Sequence, residues 1–223
     1  MAIEIDGPRV EPRGGPARQL VVFLHGYGAD GNDLIEIGRI WQRAMPHAAF
    51  VSPHAPERCP MAPVGRQWFG LTMRDPRERW TGVNKAAPCV NAFLDAELDR
   101  RKLTDRELAL VGFSQGTMMA LHVGLRRRHA PAAIVGYSGM FVLPGAESEA
   151  VKNEIATRPP ILLIHGDMDD LIPAQALLAS AQNLAALGLA VEWHLSQRLG
   201  HGIDPEGLRH GGEFLIRRLR MAG

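Results

Sequence analysis

"LALVGFSQGTMMAL", residues 108–121, changes character at its middle. A run of apolar strand formers stops at Gly112-Phe113-Ser114-Gln115-Gly116, and a helix-like segment follows. A Gly-x-Ser-x-Gly pentapeptide is weak alone, because both residue types are common. Between a buried strand and a helix it reads as a sharp turn that exposes Ser114 at its apex, with Gly112 and Gly116 where backbones approach closely. The first unpaired N–H groups of the helix, that of Gln115 among them, then point at developing negative charge, and the helix dipole favours an anion there. In a tetrahedral intermediate each such donor contributes about 3–4 kcal/mol.

The surrounding chain supplies the matching context. Short apolar runs at 20–26, 48–53, 108–114, 132–138, 161–166 and 190–196 alternate with amphipathic helix candidates at 32–44, 84–102, 115–129, 173–187 and 205–220. Apolar runs without polar alternation predict strands covered on both faces, as in parallel sheets. The whole predicts a doubly wound α/β sheet with helices on both faces, in which ligand sites lie beyond the carboxyl ends of the strands. Two stretches break the rhythm. Residues 54–82 are proline-rich and read as a long functional loop, within which "MRDPRERW" reads as solvated. Residues 139–159 are expected to hold one short helix at about 147–157.

Composition narrows the function classes. The 223 residues suffice for one substantial core, so a single domain over 1–223 is expected. A net charge of +1 disfavours nucleic acid as a partner. No apolar stretch reaches the roughly 18 residues of a membrane span, and the N-terminus lacks a secretory pattern, which leads to a cytoplasmic expectation. Cys59 and Cys89 read as reduced thiols. No Cys or His cluster has zinc-ligand spacing, so neither metal nor cofactor is expected.

A serine hydroxyl needs a base, and the base an orienting acid. On this fold the chain order is Ser, acid, His. His25, His47, His54, His122 and His129 fall outside that window. His165 ends a buried strand, His194 lies inside one, and His210 belongs to the last helix. His201, in "RLGHGID" between a strand and a helix, is the candidate base. The acid must come from "HGDMDDLIP", which offers Asp167, Asp169 and Asp170. Pro173 is expected to open the next helix, with Asp170 near its cap. Spacing does not separate the three.

With these pieces in place the chain resembles the carboxylesterase and acyl-protein thioesterase family of α/β-hydrolases, which includes lysophospholipases. The carriers are "LVVFLHGYGADGNDL", "FVSPHAP", "QWFG", "VGFSQG", "YSGMF", "ILLIHGDMDDLIP" and "LGHGI". The resemblance implies an α/β-hydrolase fold with a mostly parallel sheet and no large lid domain. It places the family's triad acid on Asp169 and one oxyanion donor on the backbone N–H of Tyr27, partnered by that of Gln115. It also makes Trp68, Phe69 and Leu71, with Met73 beyond, and Met140 and Phe141 candidates for an apolar acyl-pocket wall. The implied activity is hydrolysis of esters of short to medium acyl chains, with lysophospholipase or acyl-protein thioesterase as alternatives. A homodimer through apolar surface near the site is a family-level expectation. Tyr27 replaces a frequent Leu, and Gly70 a frequent acidic residue, so the pocket's shape is this chain's own. Two rivals are a non-catalytic binding protein, against which all three filled triad positions count, and a peptidase or amidase on the same elbow.

Overall fold

The computed structural model describes residues 4–72, 75, 77–145 and 148–221. Its strands and helices alternate along the chain. First come β1 (Arg9–Val10), β2 (Gln19–Leu24), α1 (Gly31–Trp41), β3 (Ala48–Val51) and a small hairpin of β4 (Glu57–Arg58) and β5 (Arg66–Gln67). Then follow α2 (Glu78–Arg101), β6 (Leu108–Phe113), α3 (Gln115–Gly124) and β7 (Ala133–Tyr137). The chain ends with β8 (Ile161–Gly166), α4 (Gln175–Ala186), β9 (Val191–Ser196) and α5 (Pro205–Met221).

Seven strands form one sheet in the order β1-β3-β2-β6-β7-β8-β9, parallel throughout except for β1. The apolar runs have no polar alternation because both faces are covered. Leu20, Val22, Leu108, Leu110 and Leu163 point into a core shared with α2, α3 and α4, whereas Val21, Phe23, Ala109, Val111 and Leu162 face α1 and α5. Full burial of each large side chain contributes about 1.5–3 kcal/mol, so the central strands anchor the fold. No large lid covers the sheet's edge among the described residues.

The topology itself creates the crevice. From β2 the chain moves outward to β3 and then returns to lay β6 on the other side of β2. The helices after these two neighbours, α1 and α3, lie on opposite faces. Their departure in opposite directions opens a gap beyond the carboxyl ends of β2 and β6, where open α/β sheets bind ligands.

Several boundaries differ from the sequence expectation. Helix α2 begins at Glu78 rather than 84, so part of the stretch read as a solvated loop is helical, and the long 54–82 loop is shorter and contains the hairpin. The early start is consistent with Glu78 as an acidic first-turn residue, and Pro88 is accommodated inside the helix. The expected helix at 147–157 is a 3₁₀ segment, Ser148–Glu154. Pro173 does not open α4: its carbonyl accepts from Ala176 N–H in a preceding turn, which leaves Asp170 exposed and away from the cap.

Candidate active site

Ser114 links β6 to α3 with φ 54° and ψ −115°, a conformation that L-residues rarely adopt. The strain is held by bonds and by contacts only glycine permits. Ser114 N–H donates to Tyr137 O at 2.9 Å, and Ser114 O accepts from Thr117 N–H at 3.0 Å. A Cβ on Gly116 would lie 1.7 Å from Leu24 O, and one on Gly112 would lie 2.4 Å from the Gly116 carbonyl. The elbow is therefore wedged between β2 and the first turn of α3. Among the described residues the amides of Tyr27 and Gln115 donate to no carbonyl.

The side chain of Gln115 has a role the sequence reading did not find. Its Oε1 accepts from Trp68 N–H at 2.9 Å and its Nε2 donates to Phe69 O at 2.8 Å, which pins the segment after β5 beside the elbow. Nothing in the spacing announces this, since the two partners are backbone groups 46 and 47 residues away. His25 braces the same corner from below. Its Nε2 accepts from Ala55 N–H at 3.0 Å, and its Nδ1 lies 2.8 Å from Gly26 O, the pattern of a neutral ring. Burial pushes its pKa down to about 4, in keeping with that state.

Asp169 follows β8 and is buried. Its Oδ1 accepts from Leu171 N–H at 3.0 Å and Ile172 N–H at 2.9 Å, and its Oδ2 lies 2.8 Å from His201 Nδ1. His165 Nε2 stands 3.2 Å from the same Oδ2 and 2.7 Å from Ile172 O, so it supports the turn. Asp167 and Asp170 are exposed, and neither meets His201. The loop bearing His201 is tied to the Asp169 turn, where Asp167 N–H donates to Ser196 O and Met168 N–H to Leu199 O, and to the end of β7, where Ser138 Oγ donates to Gly202 O. The His201 ring packs 5.0 Å from that of Phe113, next to Ser114.

Tyr27, Ser114, Gln115 and His201 line one cleft of about 650 Å³. No hydrogen bond joins Ser114 Oγ to His201 among the described residues, and such bonds commonly close only around a substrate. The cleft's apolar wall comes from Leu71, Met61, Met118, Leu171 and Ile172, with Arg79 at one side. Of the proposed wall, only Leu71 is placed there. Trp68 and Phe69 are 1% and 2% exposed and belong to the core, because the Trp68 indole N–H donates inward to His25 O at 2.9 Å and Phe69 packs on Gly82. Met140 and Phe141 line a separate groove with Ala176 and Ser180. Met73 lies outside the described residues. Met61, Met118, Leu171 and Ile172 also line the cleft, and no sequence pattern marks them. Cys59 and Cys89 are both free and buried.

The chain matches the family described as Phospholipase/Carboxylesterase over residues 5–218. It is 28% identical to acyl-protein thioesterase 1 of Gibberella zeae across 95% of each chain. It is 31% identical to acyl-protein thioesterase 1 of Saccharomyces cerevisiae, covering 76% of this chain and 78% of that one. Among solved structures, esterase PE8 superposes with a TM-score of 0.92 at 40% identity, covering 97% of this chain and 100% of that chain. SOBER1 of Arabidopsis thaliana does so with a TM-score of 0.79 at 25% identity, covering 91% and 100%.

Proposed function

The chain belongs to the phospholipase/carboxylesterase family of hydrolases, and from that premise we propose that it is a serine esterase using Ser114, His201 and Asp169. The observation that carries this reading is the 2.8 Å contact between His201 Nδ1 and Asp169 Oδ2, beside Ser114 in one cleft. With Nδ1 held by the carboxylate, Nε2 is the nitrogen that takes the Ser114 proton as Oγ attacks the ester carbonyl. The buried Asp169 fixes the tautomer and balances the imidazolium. The N–H groups of Tyr27 and Gln115 receive the oxyanion. His201 then protonates the departing alcohol, and water, activated by the same nitrogen, releases the acyl group. The 223 residues act as one domain in this reading.

The substrate class follows from the cleft. Its volume and its Met, Leu and Ile lining suit an acyl chain of short to medium length. A thioester substrate is the second reading, favoured by the relatives named acyl-protein thioesterase. Ser114→Ala is expected to leave far-UV circular dichroism unchanged and to lower p-nitrophenyl ester turnover by about 10³-fold or more. Retained turnover in a folded variant would remove the assignment. A chain-length series of p-nitrophenyl esters beside a palmitoyl-thioester peptide separates the two substrate readings.

A further inference from the structure

We propose that His194, Glu206 and His210 form a binding site for one divalent transition-metal ion of the zinc type. His194 lies on β9, and Glu206 and His210 stand one turn apart on α5. One ligand atom from each falls within 4.8 Å of the other two, and this is the one such grouping of three among the described residues. The two imidazole centroids are 4.4 Å apart, and Glu206 Oε1 lies 3.6 Å from His210 Nε2. A second observation points the same way: His194 leaves its Nε2 buried with no hydrogen-bond partner.

The donor set selects the ion. Two imidazole nitrogens and one carboxylate oxygen suit zinc and its borderline neighbours, whereas magnesium and calcium require oxygen ligands. Around a tetrahedral ion with bonds of about 2.1 Å, ligand atoms stand about 3.4 Å apart, so Glu206 and His210 are already close to that spacing at 3.6 Å and the widest pair, within 4.8 Å, contracts by at most about 1.4 Å. Glu206 and His210 are 59% and 33% exposed, so rotamer changes can supply that contraction. The opposing group is Arg209, whose Nη2 sits 3.3 Å from His210 Nε2. Arg209 also pairs with both Glu213 oxygens at 3.0 Å, and it keeps that partner when an ion takes the imidazole. A bound ion would join β9 to the first turns of α5 and so hold both ends of the 197–204 segment that carries His201. It touches none of the three proposed catalytic side chains, and does not depend on their roles.

The test is calorimetric titration of Zn²⁺ into the full chain in a non-coordinating buffer, repeated with His201→Ala so that the catalytic pair is not the receptor. About one ion per chain is expected in both, with a rise in Tm that EDTA reverses. His194→Ala and His210→Ala, each checked for folding by circular dichroism, are expected to weaken binding by at least about 10-fold. Substitution with Co²⁺ in the unaltered chain should give the visible bands of a site with imidazole ligands, a readout that needs no variant. Absence of Zn²⁺ binding below millimolar concentration, binding in either histidine variant as tight as in the unaltered chain, or a Co²⁺ spectrum of the hydrated ion would each overturn the proposal.

Discussion

Ser114 and Asp169 stand on turns in which backbone bonds and close backbone approaches fix each position, whereas Met61 and Leu171, on the cleft's wall, are 82% and 67% exposed. The floor of the cleft is thus fixed by backbone bonds and close approaches, and these two side chains of the upper wall are exposed apolar surface. On the proposed roles, chemistry that needs sub-ångström alignment would sit on the first, and recognition of a flexible acyl chain would fall to the second. The contrast predicts large, all-or-none effects below and small, substrate-dependent effects above.

On the proposed roles, the largest effect belongs to Asp169→Asn. The amide can still accept from Leu171 and Ile172, but it no longer holds His201 in the tautomer that accepts a proton at Nε2. A loss of about 10⁴-fold in kcat is expected in steady-state ester hydrolysis, with KM little changed. A loss below 10-fold would place Asp169 with the turn rather than with the base.

Gly116→Ala strikes the floor through packing alone. The added methyl would overlap Leu24 O, on the central strand, which has no room to retreat. Urea unfolding should report a loss of more than about 4 kcal/mol, or no folded protein. Near-normal stability would show that the elbow is not wedged.

A third effect reads the buried histidines around the floor. Burial pushes His25 down to about 4 and His122, behind the elbow on α3, down to about 3. Both ionise near 6.5 once unfolded, so below that pH the unfolded chain binds more protons and stability falls as pH falls, down to the folded values. Between pH 6.5 and 5 each contributes a loss of about 2 kcal/mol. The urea midpoint should drop over that range, and His122→Met should flatten the slope; a flat wild-type profile would contradict the neutral, buried state of both rings.

The smallest effect lies on the wall. Leu171→Ala should leave acetate ester turnover unchanged and raise KM for longer acyl esters by less than about 10-fold. Equal loss on both substrates would mean that wall and floor act as one unit, and the contrast would fail.

The same division governs what could be read from sequence. The elbow was legible because a buried strand, two glycines and a helix must be contiguous in the chain. Elimination singles out His201 as the candidate base, and the structure sets it 2.8 Å from Asp169 Oδ2. Asp167, Asp169 and Asp170 could not be separated by spacing, because which of them turns inward is set by the bonds to Leu171 and Ile172 and by the docking of the His201 loop. Trp68 misled for a related reason: its aromatic surface suggests a pocket, but its indole N–H finds His25 O beneath the floor. Met61 and Leu171 sit in irregular segments without periodicity, so nothing local marks them. His194, Glu206 and His210 escaped because a strand and a helix bring them together across a loop.

The most direct test of the central claim is to label the protein with a fluorophosphonate at neutral pH and locate the adduct by peptide mass spectrometry. A single phosphonylated residue at Ser114, formed in the wild type and suppressed in a folded His201→Ala variant, is the expected result. Modification elsewhere, or labelling of Ser114 that is as fast without His201, would contradict an alcohol activated by that imidazole.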